Sequence, residues 1–267
     1  MNRTVALLGK ELADLRQNPT IFLPSLLVAI LAILLPLFVA VIVPYATGER
    51  LSDSSDFEIA TEMYSRNPAT RALDPEAAIQ AYLFQYFLVM LVLGPVTSAM
   101  SVAAFSVVGE KQARTLEPLL ATPLTTFELL TGKVLGALLP AVALSIVSFA
   151  AYLTAAGVFA RAGVMGALIG PQSFGTVFLL GPLAAMVALQ LAVCVSSRVN
   201  DARTAQQLGV LVVLPVAGLL VGQIFGAIEL TVPIILMIAS GLLVVNAALM
   251  WIAVRLFDRE TILTRWK

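Results

Sequence analysis

Residues 109–133 read GEKQARTLEPLLATPLTTFELLTGK and interrupt an otherwise apolar chain. The stretch is polar enough to lie outside a membrane, yet it also carries a compact set of apolar side chains. A merely solvated loop has no need for that set, whereas a short amphipathic structure offered to a partner does. The apolar residues are Leu116, Leu119, Leu120, Leu124, Phe127, Leu129 and Leu130.

Local capping signals divide this stretch into two helices. Thr115 is a good N-cap, and Pro118 falls in the first helical turn, where its missing N–H costs little. Thr122-Pro123 ends that short helix. Thr125 and Glu128 then match the T-x-x-E capping box, which starts the next helix. We therefore predict a short helix held between two membrane helices, where a force applied to it would move both.

The composition indicates an integral membrane protein. Of 267 residues, 60% are hydrophobic and 12% are charged, whereas a soluble domain carries about 25% charged residues. We predict an all-α polytopic membrane protein that forms one transmembrane domain over residues 1–267. Its predicted membrane-spanning segments are 20–44, 82–108, 134–160, 173–195, 207–227 and 231–256, each long enough to cross a bilayer.

Three further segments have distinct patterns. Residues 1–19 carry apolar side chains at helical spacing and predict an amphipathic helix in the membrane interface, with a disordered leader as the alternative. Pro36 is expected to kink the first span, so that neighbouring helices must satisfy the freed carbonyl. In the acidic loop 45–81, Asp74 and Pro75 indicate a helix start. Residues 161–172 read as a Gly-rich turn.

The distribution of Lys and Arg predicts the orientation. If the N-terminus lies inside, the inner segments hold 12 Lys and Arg residues and the outer segments hold 4. Both termini and residues 109–133 are then cytoplasmic, and the acidic loop is outside. That loop would attract cations or simply be solvated.

Several function classes lack the residues they need. The chain has no histidine, which excludes HExxH metalloprotease chemistry and Ser-His or Cys-His catalysis. Cys194 is the single cysteine, so no internal disulfide is possible. There is no basic stripe for nucleic acid. We expect no metal site and no catalytic residue on this chain.

The central stretch resembles the motif of ABC exporter permeases of the type-2 class. In that family the motif has the form GEKE-x-GTLE-x-LL-x-TP, followed by a few polar residues and GK. Lys10-Glu11-Leu12 and Arg16 are similar to the family's opening elbow helix, and the layout of six spans agrees over the whole chain. Arg114 stands where the family usually has Gly, and Pro118 where a helix former is common. The matching residues are Gly109, Glu110, Lys111, Thr115, Leu116, Glu117, Leu119, Leu120, Thr122, Pro123, Gly132 and Lys133.

The resemblance implies that residues 109–133 form the coupling helix that docks on a separate ABC ATPase. It implies two ATPase copies, which hold the ATP and Mg, and a second permease that is either the same chain or a homologue. The coupling residues would be Glu110, Lys111, Thr115, Leu116, Glu117, Leu119, Leu120, Thr122 and Pro123. It also implies an exporter in the cytoplasmic (inner) membrane of a prokaryote. The chain has no G-x-x-x-x-G-K-[ST] loop, so we expect it to bind no ATP itself.

Polar side chains within the spans are the candidates for a substrate pathway. We single out Gln85, Ser98, Ser101, Ser145, Gln190, Gln223 and Asn246. Such side chains often bond only to their own helix or hold helices together, which is the structural alternative. A weakly polar pathway suits an amphiphilic, lipid-like or drug-like substrate. Two other functions stay open: an ion-gradient-driven secondary transporter, which usually needs a charge at mid-membrane, and a non-transporting structural subunit.

Overall fold

A computed structural model describes residues 3–53, 73–112, 126–196, 202–225 and 227–256. Every regular element among these residues is helical, which confirms the predicted all-α class. The α-helices are α1 Arg3–Gln17, α2 Leu23–Leu37, α3 Val43–Thr47, α4 Pro75–Phe87, α5 Leu93–Gln112, α6 Thr126–Phe159, α7 Val164–Leu168, α8 Pro171–Phe174, α9 Gly181–Ser196, α10 Ala202–Ile224 and α11 Val232–Leu256. Short 3-10 or π-helical turns join several of them end to end: Pro19–Phe22, Phe38–Ile42, Leu51–Asp53, Leu88–Val92 and Gly175–Leu180.

Five helical stretches of the described chain are long and apolar enough to cross a membrane. They are Pro19–Thr47, Pro75–Ala103, Glu128–Phe159, Pro171–Val195 and Val232–Leu256. The predicted span 207–227 falls largely on α10, where Val213–Gln223 is a shorter apolar helix within the residues that could be assessed. The second stretch begins at Pro75 rather than at residue 82, because the helix that starts at the acidic loop continues into the span.

Helix α1 has the amphipathic character that the sequence predicts. Leu15 is buried, whereas Lys10 and Asp14 lie exposed and form an ion pair one turn apart, with Nζ and Oδ2 separated by 3.9 Å. The helix ends at Gln17, immediately before Asn18-Pro19. It packs against α6, so the N-terminus lies at the end of the bundle where α6 begins. We call this the N-terminal side, and the other end the opposite side.

Proline disrupts the first span where expected. Helix α2 ends at Leu37, one residue beyond Pro36, and the chain continues through the π-helical turn Phe38–Ile42. A second proline, Pro44, has no N–H to donate to the carbonyl of Ala40. Gln80 of α4 supplies that hydrogen bond instead, with Nε2 donating to the Ala40 oxygen at 3.0 Å. A neighbouring helix thus satisfies a carbonyl that proline leaves free, as a membrane interior requires.

Burial divides the spans into central and peripheral helices. In its most apolar stretch, the Pro75–Ala103 helix is 83% buried, whereas Val232–Leu256 is 17% buried. Pro171–Val195 is also mainly buried, and α5 packs closely against α9. The exposed apolar faces of Pro19–Thr47 and Val232–Leu256 are suited to lipid contact.

A polar network joins several segments at the opposite side. Helix α4 starts at Pro75 with Asp74 as its N-cap residue, as predicted, but the Asp74 side chain makes no capping bond. Its Oδ2 instead pairs with Arg161 Nη1 at 3.2 Å. The Arg161 backbone N–H donates to Gln80 Oε1 at 2.9 Å. Gln80 therefore links the first, second and third spans.

Buried Glu76 ties a second piece of chain to the same side. Its carboxylate accepts hydrogen bonds from the backbone N–H groups of Leu51 at 3.3 Å and Ser52 at 2.9 Å. The predicted turn 161–172 contains two short helices, α7 and α8. Gly163 enters α7 with φ +94°, and a side chain there would meet Leu73.

We predict that Gln80→Leu lowers the unfolding free energy by about 1–2 kcal/mol, because it leaves the Ala40 carbonyl and the Arg161 N–H without their partner. Unfolding by SDS in mixed micelles would measure the change. Thr154→Val is the matched control, since the Thr154 hydroxyl is exposed and bonds only to the Ala150 carbonyl of its own helix. Equal stability of the two variants would contradict the role of Gln80.

Candidate coupling and substrate-pathway sites

The coupling segment is flanked by two long helices. Helix α5 continues to Gln112 and α6 begins at Thr126, one residue after the predicted cap Thr125. Glu110 and Lys111 lie on the last turn of α5, although their side chains are outside the described residues. Residues 113–125 lie outside them entirely, so the short helix and the following residues stay predictions: Thr115, Leu116, Glu117, Leu119, Leu120, Thr122 and Pro123.

The two flanking helices are joined close to the segment. Lys133 Nζ of α6 donates a hydrogen bond to Ser106 Oγ of α5 at 2.7 Å. Lys133 is only 5% exposed. The sequence placed Lys133 in the family motif, but it did not reveal Ser106 as a partner. The sequence did contain a signal that Lys133 is buried and needs a polar partner, because the neighbouring helical positions are apolar. These are Leu129, Leu130, Val134 and Ala137, and all of them are buried.

The predicted pathway residues are placed inside the bundle. Six are buried, namely Ser98, Ser101, Ser145, Gln190, Gln223 and Asn246, and Gln85 is half-buried. Ser145 and Gln85 make hydrogen bonds that hold a helix or join two of them. Ser145 Oγ donates to the Ala141 carbonyl of its own helix at 3.1 Å, and Gln85 Oε1 accepts from Ser173 Oγ at 2.9 Å.

Four of these side chains keep an unsatisfied polar atom. Ser98 Oγ, Gln190 Oε1, Gln223 Nε2 and Asn246 Oδ1 are buried with no hydrogen-bond partner among the described residues. Asn246 does use its amide nitrogen, which donates to the carbonyls of Leu183 at 3.1 Å and Leu242 at 2.8 Å. Buried polar atoms without partners cost free energy, so these four are the strongest of the predicted pathway positions.

A separate apolar cavity of about 270 Å³ lies between the second-span helix, α9, α10 and α11. None of the predicted pathway residues lines it. All of its lining residues are apolar: Val89, Val92, Leu180, Ala184, Val187, Leu191, Leu211, Pro215, Val216, Leu219, Ile238, Leu242 and Val245. A partly open cavity with such a lining is suited to apolar groups.

Two tyrosines fix the central helices by bonding to backbone carbonyls. Tyr86 donates to the Leu220 carbonyl of α10 at 2.5 Å, and Tyr152 donates to the Phe84 carbonyl of α4 at 2.5 Å. Sequence reasoning missed both, although a tyrosine within a span signals that its hydroxyl needs a partner. Within the part of the chain that the structure describes, no cluster of His, Cys, Asp or Glu could hold a metal ion.

Residues 5–245 match the model of the ABC-2 family transporter protein. The chain belongs to the ABC-2 transporter family. A comparison with curated protein sequences found no match. Membership identifies the chain as a membrane transport component and implies association with an ABC ATPase. It confirms the resemblance inferred from the central motif and supports an ABC transporter permease.

We predict that Asn246→Leu in this ABC-2 permease leaves the unfolding free energy unchanged or raises it by up to about 1 kcal/mol, because a buried orphan acceptor is removed. ATP hydrolysis by the purified permease–ATPase complex in lipid should fall. Ser145→Ala is the control, since its hydroxyl bonds to its own helix, and it should alter neither quantity. A variant Asn246→Leu that unfolds more readily and keeps full activity would show that Asn246 only holds helices together.

Proposed function

We propose that this chain is the transmembrane permease of an ATP-driven exporter. It forms the substrate pathway and receives force through residues 109–133 from a separate ATPase. The family match supports the proposal most directly. The motif at residues 109–133 includes the last turn of α5 and the first two turns of α6, which are long helices packed against one another, so movement of the segment would act on both.

An external energy source fits the charges of the chain. Among the described residues, the buried charged side chains are Glu76 and Lys133. Each lies close to one end of its span, rather than at mid-membrane where ion-coupled carriers usually need a charge. Gly132-Lys133 is followed by Val134 and lacks the upstream glycine of a phosphate-binding loop. ATP and Mg would therefore be bound by the partner.

The 12-to-4 distribution of Lys and Arg favours a cytoplasmic N-terminal side. Both termini and the coupling segment then face the cytoplasm, and the polar network around Gln80 faces outward. The location would be the cytoplasmic membrane of a prokaryote. Two ATPase copies and a second permease, either this chain or a homologue, would complete the transporter.

The pathway favours an amphiphilic, lipid-like or drug-like substrate. The apolar cavity among the second-span helix, α9, α10 and α11 would accept an apolar group. The amide groups of Gln190, Gln223 and Asn246 offer weak polar contacts without charge. A structural subunit that does not transport would gain nothing from keeping buried polar atoms without partners.

We predict that Glu117→Ala and Leu120→Asp each reduce retention of the ATPase and the ATP hydrolysis that depends on this chain. Glu117 suits the positive end of the coupling helix, and an aspartate at residue 120 would place a charge in the apolar contact. Co-purification and hydrolysis assays on the purified complex would measure both effects. Glu49→Ala, at an exposed residue of the proposed outer side, is the control. Normal retention and transport by both variants would overturn the coupling role.

The proposed orientation gives a second prediction. In a Cys194→Ser background, a membrane-impermeant maleimide should label Tyr45→Cys in intact cells, because Tyr45 is 91% exposed. Gln17→Cys should be labelled only after permeabilisation, since Gln17 is exposed on the N-terminal side. The opposite labelling pattern would show that the chain is inserted the other way round.

A further inference from the structure

Lys133 occupies a helical position where the pattern of α6 calls for an apolar residue. Residues three and four positions away lie on the same face of a helix, and at Lys133 these are all buried: Leu129, Leu130, Gly136 and Ala137. Lys133 itself is 5% exposed. A cationic side chain in such surroundings loses much of its hydration, and only good partners offset that loss.

The hydrogen bond to Ser106 joins the two helices that enter and leave the coupling segment. Ser106 lies six residues before the end of α5, and Lys133 lies seven residues after the start of α6. The distance from Lys133 Nζ to Ser106 Oγ is 2.7 Å, which is short for a hydrogen bond from nitrogen to oxygen. The connection thus lies about one to two helical turns from residues 113–125.

Helix α1 adds a third element to the same place. This helix packs against α6, and its Leu15 belongs to the large buried cluster that also includes Leu129, Leu130 and Val134. Because Lys133 is only 5% exposed, neighbouring side chains enclose its stem in addition to the hydrogen bond at its polar end. A methionine or leucine at this position would pack without the cost of burying a charge, so packing alone does not account for a lysine here.

We propose that Lys133 is a positioning residue that makes the C-terminal end of α5 and the N-terminal end of α6 a single rigid unit through Ser106. A displacement of residues 113–125 then reaches both helices together, instead of being absorbed by the two helices separating. This inference rests on the proposed coupling function, but the rigid connection itself can be measured on the chain alone.

The first experiment measures the separation of α5 and α6 without any ATPase. Spin labels would be placed at Phe105→Cys and Leu135→Cys, which are 47% and 38% exposed, in a Cys194→Ser background. Lys133→Met and Ser106→Ala should broaden the distance distribution, whereas Lys133→Arg should largely restore it. Lys10→Met, which removes an exposed lysine of α1, is the matched control and should leave the distribution unchanged. A wild-type distribution in Lys133→Met would overturn the proposal.

The second experiment measures transmission in the full complex with its ATPase in lipid. ATP should change the reactivity of a thiol at Val158→Cys, which is 68% exposed on the opposite side. Lys133→Met should retain the ATPase in the wild-type ratio, yet show a several-fold smaller ATP-dependent change in reactivity. Ser106→Ala should also make the ATP-dependent change smaller, because both substitutions remove the hydrogen bond between Lys133 and Ser106.

The outcomes of the two experiments distinguish the connection between Lys133 and Ser106 from the proposed coupling function. A full ATP response in Lys133→Met, at unchanged melting temperature and ATPase content, would overturn the role of Lys133 in transmission. If the wild-type chain retained no ATPase, the proposed function would fail, and the label distances would still decide whether Lys133 holds α5 to α6.

Discussion

The main constraint on this bundle is that every backbone N–H and C=O group needs a hydrogen-bond partner where there is no water. A helix does so by itself until a proline removes a donor. At Pro44 the missing donor is replaced by the Gln80 amide nitrogen, and the oxygen of the same amide accepts from the Arg161 backbone N–H. Two tyrosines likewise donate to carbonyls of neighbouring helices. The spans are therefore held together by side chains that bond to backbone, in addition to apolar packing.

Among the described residues, the buried charged side chains lie at the two ends of the bundle. Glu76 holds residues 51 and 52 on the opposite side, and Lys133 holds Ser106 on the N-terminal side. Between them, the described core contains neutral polar atoms and an apolar cavity. Charged groups thus secure the ends of the helices, while the middle of the bundle stays free of fixed charge. That arrangement suits transport whose energy enters from outside the membrane.

The sequence allowed prediction of the helical class, the amphipathic first helix, the disruption after Pro36 and the helix start at Pro75, because each depends on local chemistry. The motif at residues 109–133 also indicated the family, which the family match confirms. The sequence did not reveal the Arg161–Asp74 pair, the Tyr86 contact or the Ser106 partner of Lys133, since these join residues that are distant in sequence. Helical periodicity predicts which face is buried, but it does not tell which residue lies across from it. Polarity alone also could not distinguish between two of the predicted pathway residues. Ser145 bonds to its own helix, whereas Asn246 keeps an oxygen without a hydrogen-bond partner among the described residues.

The hydrogen bond between Gln80 and Ala40 limits the insertions and deletions that the first span can accept. Each residue added to a helix turns everything beyond it by about 100°. An insertion between Pro36 and Pro44 would rotate the Ala40 carbonyl away from Gln80 or shift the proline that leaves it free. Homologous chains should therefore keep a fixed number of residues between the two prolines.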